Sequence, residues 1–257
     1  MARNQARMPK NTFYRRNPHQ AGFSLVEMSV VVAIMAVIAV FGLQAVAMFF
    51  DYKARSETLD RMEEIQISLR QHFIARGFFP KPAPLNGTTA QINNAAFGQA
   101  VSNCNNSSIV LEGGVCIGAV PLSELRLPVH LIADTWNQRI LYVVTEDLTE
   151  DAATFEANPG RIRIRSGNIA SSNTITDAGA YMLISHGPNM VGGYNLRSAA
   201  RTIDCDEPSS GDPIDQENCD NADNLFFEEE FNRGSNDAWC FDDLVLWELK
   251  PDEFSYR

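Results

Sequence analysis

The 28 residues from Phe23 to Phe50 hold a single charged side chain, Glu27. At about 1.5 Å per residue such a run makes a helix of roughly 42 Å, longer than the ~30 Å hydrocarbon core of a bilayer. Glu27 stands near the head of that run, where a carboxylate in a membrane is unfavourable unless something compensates it. A glycine, Gly22, comes immediately before. An ordinary secretory signal has only about 7–15 apolar residues, and its small-residue cleavage site follows them. Here the small residue comes first. A cut after Gly22 removes the leader and keeps the whole apolar helix on the mature chain.

Charge divides the chain in the same place. Residues 1–22 contain Arg3, Arg7, Lys10, Arg15 and Arg16 and no acid, although the full chain carries a net charge of −11. A basic head before an apolar helix stays cytoplasmic by the positive-inside rule. The acidic remainder argues against a phosphate-binding groove, so nucleic acid is not an expected partner.

"GFSLVE" followed by a long apolar helix resembles the N-terminus of type IV pilins and of type II secretion pseudopilins. The resemblance implies that a prepilin peptidase cuts after Gly22. Phe23 then becomes a methylated N-terminus, and Glu27 is the signature acid at the fifth mature position. It implies other pilin or pseudopilin subunits, an inner-membrane assembly platform and membrane lipid as partners. In a filament the free amine of one subunit approaches the glutamate of another, giving a buried carboxylate a cation.

The helix pattern continues past the apolar run. Leu59, Met62, Ile65, Leu69 and Phe73 fall three or four apart, one stripe of a helix. Gly77 is the expected stop, with Pro80, Pro82 and Pro84 behind it. Residues 85–120, rich in Asn, Ser, Thr and Gly, read as a long irregular connection. Strand-like runs follow at 139–145, 160–166, 180–185 and 244–249, and "RIRIR" alternates apolar with basic. The expected fold is α+β and pilin-like: a long N-terminal helix whose second half packs on an antiparallel sheet. The expected divisions are a leader at 1–22, a membrane or filament-core helix at 23–50, an amphipathic half and connection at 51–84, and a periplasmic head at 85–257.

A second resemblance lies in the head. "ADTWNQRILYVV", "YMLISHGPNMVGGYN" and "FDDLVLW" are similar to three successive segments of major pseudopilins, which commonly bind calcium between the last two. Carried over by position, the calcium ligands fall on Ser185, Asn189, Asp242 and Asp243. Two departures stand out. Asn189 occupies a place where aspartate is usual, and Met190 replaces a glycine.

Residues 204–230 hold 11 Asp or Glu and no Lys or Arg, an alternative ion site or a solvated loop. The five cysteines contain no C-x-x-C, and a translocated head places them in an oxidising space. Cys104 with Cys116, and Cys205 with Cys219, each close a short loop, while Cys240 can replace a partner in either. Enzyme signatures are absent: no G-x-S-x-G, no H-E-x-x-H, no phosphate-binding glycine loop. Adjacent Ser185 and His186, with Asp134 and Asp177 elsewhere, make a poor triad, because neighbours on a strand face opposite ways. Two readings remain: a non-enzymatic subunit of a secretion pseudopilus or pilus, or a membrane-tethered periplasmic binding module that never polymerises.

Overall fold

One helix, α1, runs from Leu25 to Arg76. It appears in the computed structural model of the chain, which describes residues 24–86, 97–105, 107–167, 172–198, 200–203, 205, 214, 217–219, 223–230 and 241–251, without the side chains of 40–45. The leader, Gly22, Phe23, Cys240 and much of the acidic segment lie outside the described residues. The chain divides into two units, Met1–Phe49 and Phe50–Arg257.

In the first unit the apolar side chains point outward. Leu25, Val26, Val32, Met35, Ile38 and Phe49 are all more than half exposed. Among the described residues no helix is long and apolar enough to cross a membrane.

In the second unit α1 continues and ends where the sequence places its stop, with Gly77 left-handed (φ 81°) directly after Arg76. The stripe is a buried seam. Met62, Ile65 and Leu69 are fully buried, and Leu59 and Phe73 pack beside them. Full burial of each aliphatic side chain contributes about 1.5–3 kcal/mol.

The seam docks on a sheet that has seven strands among the described residues. Its strands are β1 (Val110–Glu112), β2 (Val115–Ala119), β3 (Leu141–Thr145), β4 (Ile162–Ser166), β5 (Asn173–Ser185), β6 (Leu225–Phe227) and β7 (Leu244–Leu249). The order is β1-β2-β3-β5-β4-β6, with β7 also paired to β5. Short helices α2 (Leu122–Leu125) and α3 (Ala152–Ala157) lie in the connections. The four expected strands are β3, β4, β5 and β7, although β5 begins at Asn173 rather than at 180.

Two differences have physical causes. The stretch 85–120 is not wholly irregular: β1 and β2 form a hairpin, with Glu112 opposite Val115. Gly113 and Gly114 supply the two positive φ angles, 57° and 77°, that such a two-residue turn needs. The sheet is also not purely antiparallel, because β6 runs parallel to β4 with Ile164 opposite Phe226.

Every residue of β2 and of β3 is buried. Tyr142, Val144, Tyr181 and Leu183 share a core with the α1 seam. Leu141, Val143, Met182 and Ile184 share another with Val115, Ile117, Ile162 and Ile164. Part of the chain beyond the helix and four strands, including Leu85, Tyr194 and Phe226, packs on that second face.

Candidate functional site

Ser24 is the N-cap of α1 and Glu27 its third residue, the spacing of a capping box. The Ser24 amide donates to Glu27 Oε2 at 2.8 Å, and the Val26 amide donates to Ser24 Oγ at 3.3 Å. The first intrahelical bond runs from the Met28 amide to the Ser24 carbonyl at 3.0 Å. Glu27 therefore sits at the positive end of the helix dipole with a backbone donor already engaged. The spacing is legible in "SLVE", a serine with a glutamate three residues on, and gives the acid a local role besides the expected one toward another subunit.

The residues expected to hold calcium lie near the junction of β5, the loop after it, and the entry to β7. Asn189 and Asp242 touch directly, while Ser185 and Asp243 bond to residues outside the four. Ser185 Oγ donates to Asp134 Oδ2 at 2.7 Å. Asn189 uses its side-chain oxygen on the Val191 amide at 3.0 Å, and its own amide donates to Asp242 Oδ2 at 3.0 Å. Asp243 accepts from Asn218 Nδ2 at 2.8 Å, and its other oxygen lies 3.5 Å from His186 Nδ1. Asp242 and Asp243 thus serve different partners. Among the described residues the one group of three Cys, His or carboxylate donors within 4.8 Å of each other is Cys104, Cys116 and Glu146, and its two sulfurs are bonded to one another. At this junction Asp242 Oδ1 is buried and accepts no hydrogen bond, an acceptor that a cation could satisfy.

Asp134, Ser185, His186, Asn218, Asp242 and Asp243 are all buried. Burial pushes the Asp134 carboxyl up, while hydrogen bonds from Ser185 and from the amides of Gln138 and Trp136 oppose the shift. Ser185 is also turned to Asp134 rather than to His186, so the pair is not a base-activated nucleophile. Asp134, His186 and Asn218 enter this cluster through contacts between segments far apart in sequence, which no local pattern shows.

Gly187 sits against the same junction. A Cβ there would lie 2.2 Å from the Asp242 carbonyl oxygen, so the position excludes every side chain. Met190 holds φ 61°, the left-handed conformation that glycine adopts freely. This explains why the substitution read from the sequence is a departure. Met190→Gly should stabilise the head by about 1 kcal/mol, raising its thermal midpoint by roughly 2–4 °C.

Both short-loop cystines are present, Cys104–Cys116 and Cys205–Cys219. Closing loops of this size stabilises by about 3 kcal/mol each in the chain-entropy account. The outward arginines around β4 are matched by acids: Arg161 with Asp147, Arg163 with Asp223, and Arg165 with Asp177. No basic strip is left on this strand for phosphates.

Arg70 of α1 and Tyr181 of β5 meet on Glu248 of β7. Arg70 Nε donates at 2.6 Å and the tyrosine hydroxyl at 2.5 Å. Burial, reinforced by Glu248, raises the Tyr181 pKa. Lys250 Nζ then donates to the carbonyls of Phe155, Glu156 and Asn158, fastening the end of β7 to α3. The contacts on Glu248 hold helix and last strand together, and no local pattern in the sequence shows them.

Residues 17–43 match the family model described as the prokaryotic N-terminal methylation motif, the signature of type IV pilins and pseudopilins. The matched stretch contains Gly22, Phe23, Ser24 and Glu27. No curated protein and no solved structure matches the chain.

Proposed function

We propose that this chain, which carries the pilin-type methylation motif, is a structural subunit of an inner-membrane-anchored filament: a pseudopilin of a type II secretion pseudopilus, or a minor pilin of a type IV pilus. The observation that carries this reading is the motif at 17–43 set directly against an uncovered apolar helix. Apolar side chains from Leu25 to Phe49 need lipid before assembly and neighbouring helices after it. The basic leader keeps the N-terminus cytoplasmic, and the head lies in the periplasm, where its two cystines persist.

The assigned roles follow from position. Gly22 is the residue before the cut and Phe23 the new, methylated N-terminus. Prepilin peptidase removes residues 1–22, and the inner-membrane platform and sister subunits receive the mature helix. The remaining alternative, a periplasmic binding module on a plain tether, keeps its leader.

Mass spectrometry of the protein from cells that contain prepilin peptidase separates the two. The expected product begins at Phe23, methylated, with residues 1–22 missing. Gly22→Leu should leave essentially all of the chain uncut, since a bulky side chain then stands beside the scissile bond. An intact leader on the unaltered chain overturns the filament reading.

A further inference from the structure

We infer that the end of β5 carries a transition-metal site, in which His186 Nδ1 and Asp243 Oδ1 bind one zinc-like ion. This donor pair differs from the four oxygen-bearing residues that the resemblance to pseudopilins implies. The His186 ring is fully buried, and neither of its nitrogens makes a hydrogen bond. Burying a polar ring nitrogen in that state is unfavourable unless another ligand engages it. Nδ1 faces Asp243 Oδ1 at 3.5 Å. That gap exceeds the ~2.7–3.2 Å of an N–H···O hydrogen bond. Two ligand atoms, each about 2.0–2.2 Å from a tetrahedral zinc, lie roughly 3.3–3.6 Å apart. The spacing therefore suits a shared ion better than a direct bond.

The surroundings hold both donors in place. Asn218 Nδ2 donates to Asp243 Oδ2 at 2.8 Å and leaves Oδ1 toward the ring. Outer hydrogen bonds of this kind orient the ligands of a metal. Gly187, packed against the Asp242 carbonyl with no room for a Cβ, fixes the chain directly after His186. Asp134 and Asp242 are buried here too, so a dication also offsets the gathered carboxylate charge. The donor types select the ion. Calcium takes six to eight oxygens, yet Ser185 Oγ donates to Asp134 and Asn189 Oδ1 accepts from the Val191 amide. An imidazole with a carboxylate suits zinc, with main-chain oxygen or water completing four positions. The site lies in the Phe50–Arg257 unit, so the inference is independent of leader cleavage and of the filament reading.

The test is thermal unfolding of the full-length chain in detergent, stripped with chelator and then given zinc, calcium or magnesium. Zinc at a hundredfold excess over its Kd should raise the midpoint by roughly 5–10 °C. Calcium and magnesium should raise it by less. His186→Leu should lose the zinc shift, while His130→Ala, at an exposed histidine, should keep it. If the leucine variant does not fold, Asp243→Asn puts the same question to the other donor. Cobalt(II), which takes the place of zinc and absorbs visible light strongly when tetrahedral, gives a readout that needs no variant. The unaltered chain should show that visible band without a sulfur-to-metal charge-transfer band, and added zinc should bleach it. A zinc shift that survives His186→Leu overturns the site, as does a larger shift with calcium than with zinc. Cobalt that stays colourless, or that shows the sulfur band, overturns it as well.

Discussion

Ile65→Asp should all but abolish the folded head. Ile65 is fully buried in the seam that α1 presents to Tyr142, Tyr181 and their neighbours. Truncating such a residue to alanine already costs about 2–5 kcal/mol through lost transfer energy and the cavity left behind. A carboxylate in the same place adds an uncompensated buried charge, and the total approaches the ~5–15 kcal/mol that holds an ordinary domain together. Ile67, two residues on, is 52% exposed and supplies the control. Ile67→Asp should change stability by no more than about 0.5 kcal/mol. Urea unfolding of the two variants side by side measures the difference. If they unfold alike, the helix does not dock on the sheet through this face.

That seam was legible because a helix repeats its buried face every three or four residues, and the stripe needs no knowledge of its partner. The four longer strands were legible for a similar reason, as dense runs of Val, Ile, Leu and Tyr. The β1–β2 hairpin was missed although "EGGV" carries the glycine pair of a two-residue turn, because its polar surroundings outweighed that short signal. At three residues inside an acidic stretch, β6 is too short for any periodicity, and its parallel pairing with β4 depends on contacts made across the fold. The cluster at the strand end divides along the same line. Its residue types could be read one by one, and the glycine-like backbone of Met190 agrees with that reading. The assignment of Ser185 to Asp134 and of Asp243 to Asn218 spans 51 and 25 residues, and no local rule supplies it.

The hydrogen bond from the Ser24 amide to the Glu27 carboxylate changes what a substitution at Glu27 can prove. The carboxylate has a local task, closing the capping box of α1, and the proposed one, pairing with the N-terminal amine of a sister subunit. Loss of assembly in Glu27→Ala fits either task. Glu27→Gln separates them, because glutamine at this position of a capping box still accepts from the N-cap amide but carries no charge. We expect both variants to insert and to leave the Phe50–Arg257 unit melting as before, while filament yield falls at least about tenfold, a penalty of ~1.4 kcal/mol or more. Ser24→Ala should be milder: it removes the hydroxyl that caps Val26, costing about 0.5–2 kcal/mol at the helix start, but keeps the amide that Glu27 uses. Quantitative recovery of sheared or pelleted filaments from the three strains decides between the tasks. Normal assembly of Glu27→Gln beside a failing Glu27→Ala assigns the acid to the cap and removes the ion pair from the mechanism. Normal assembly of both removes Glu27 from assembly altogether.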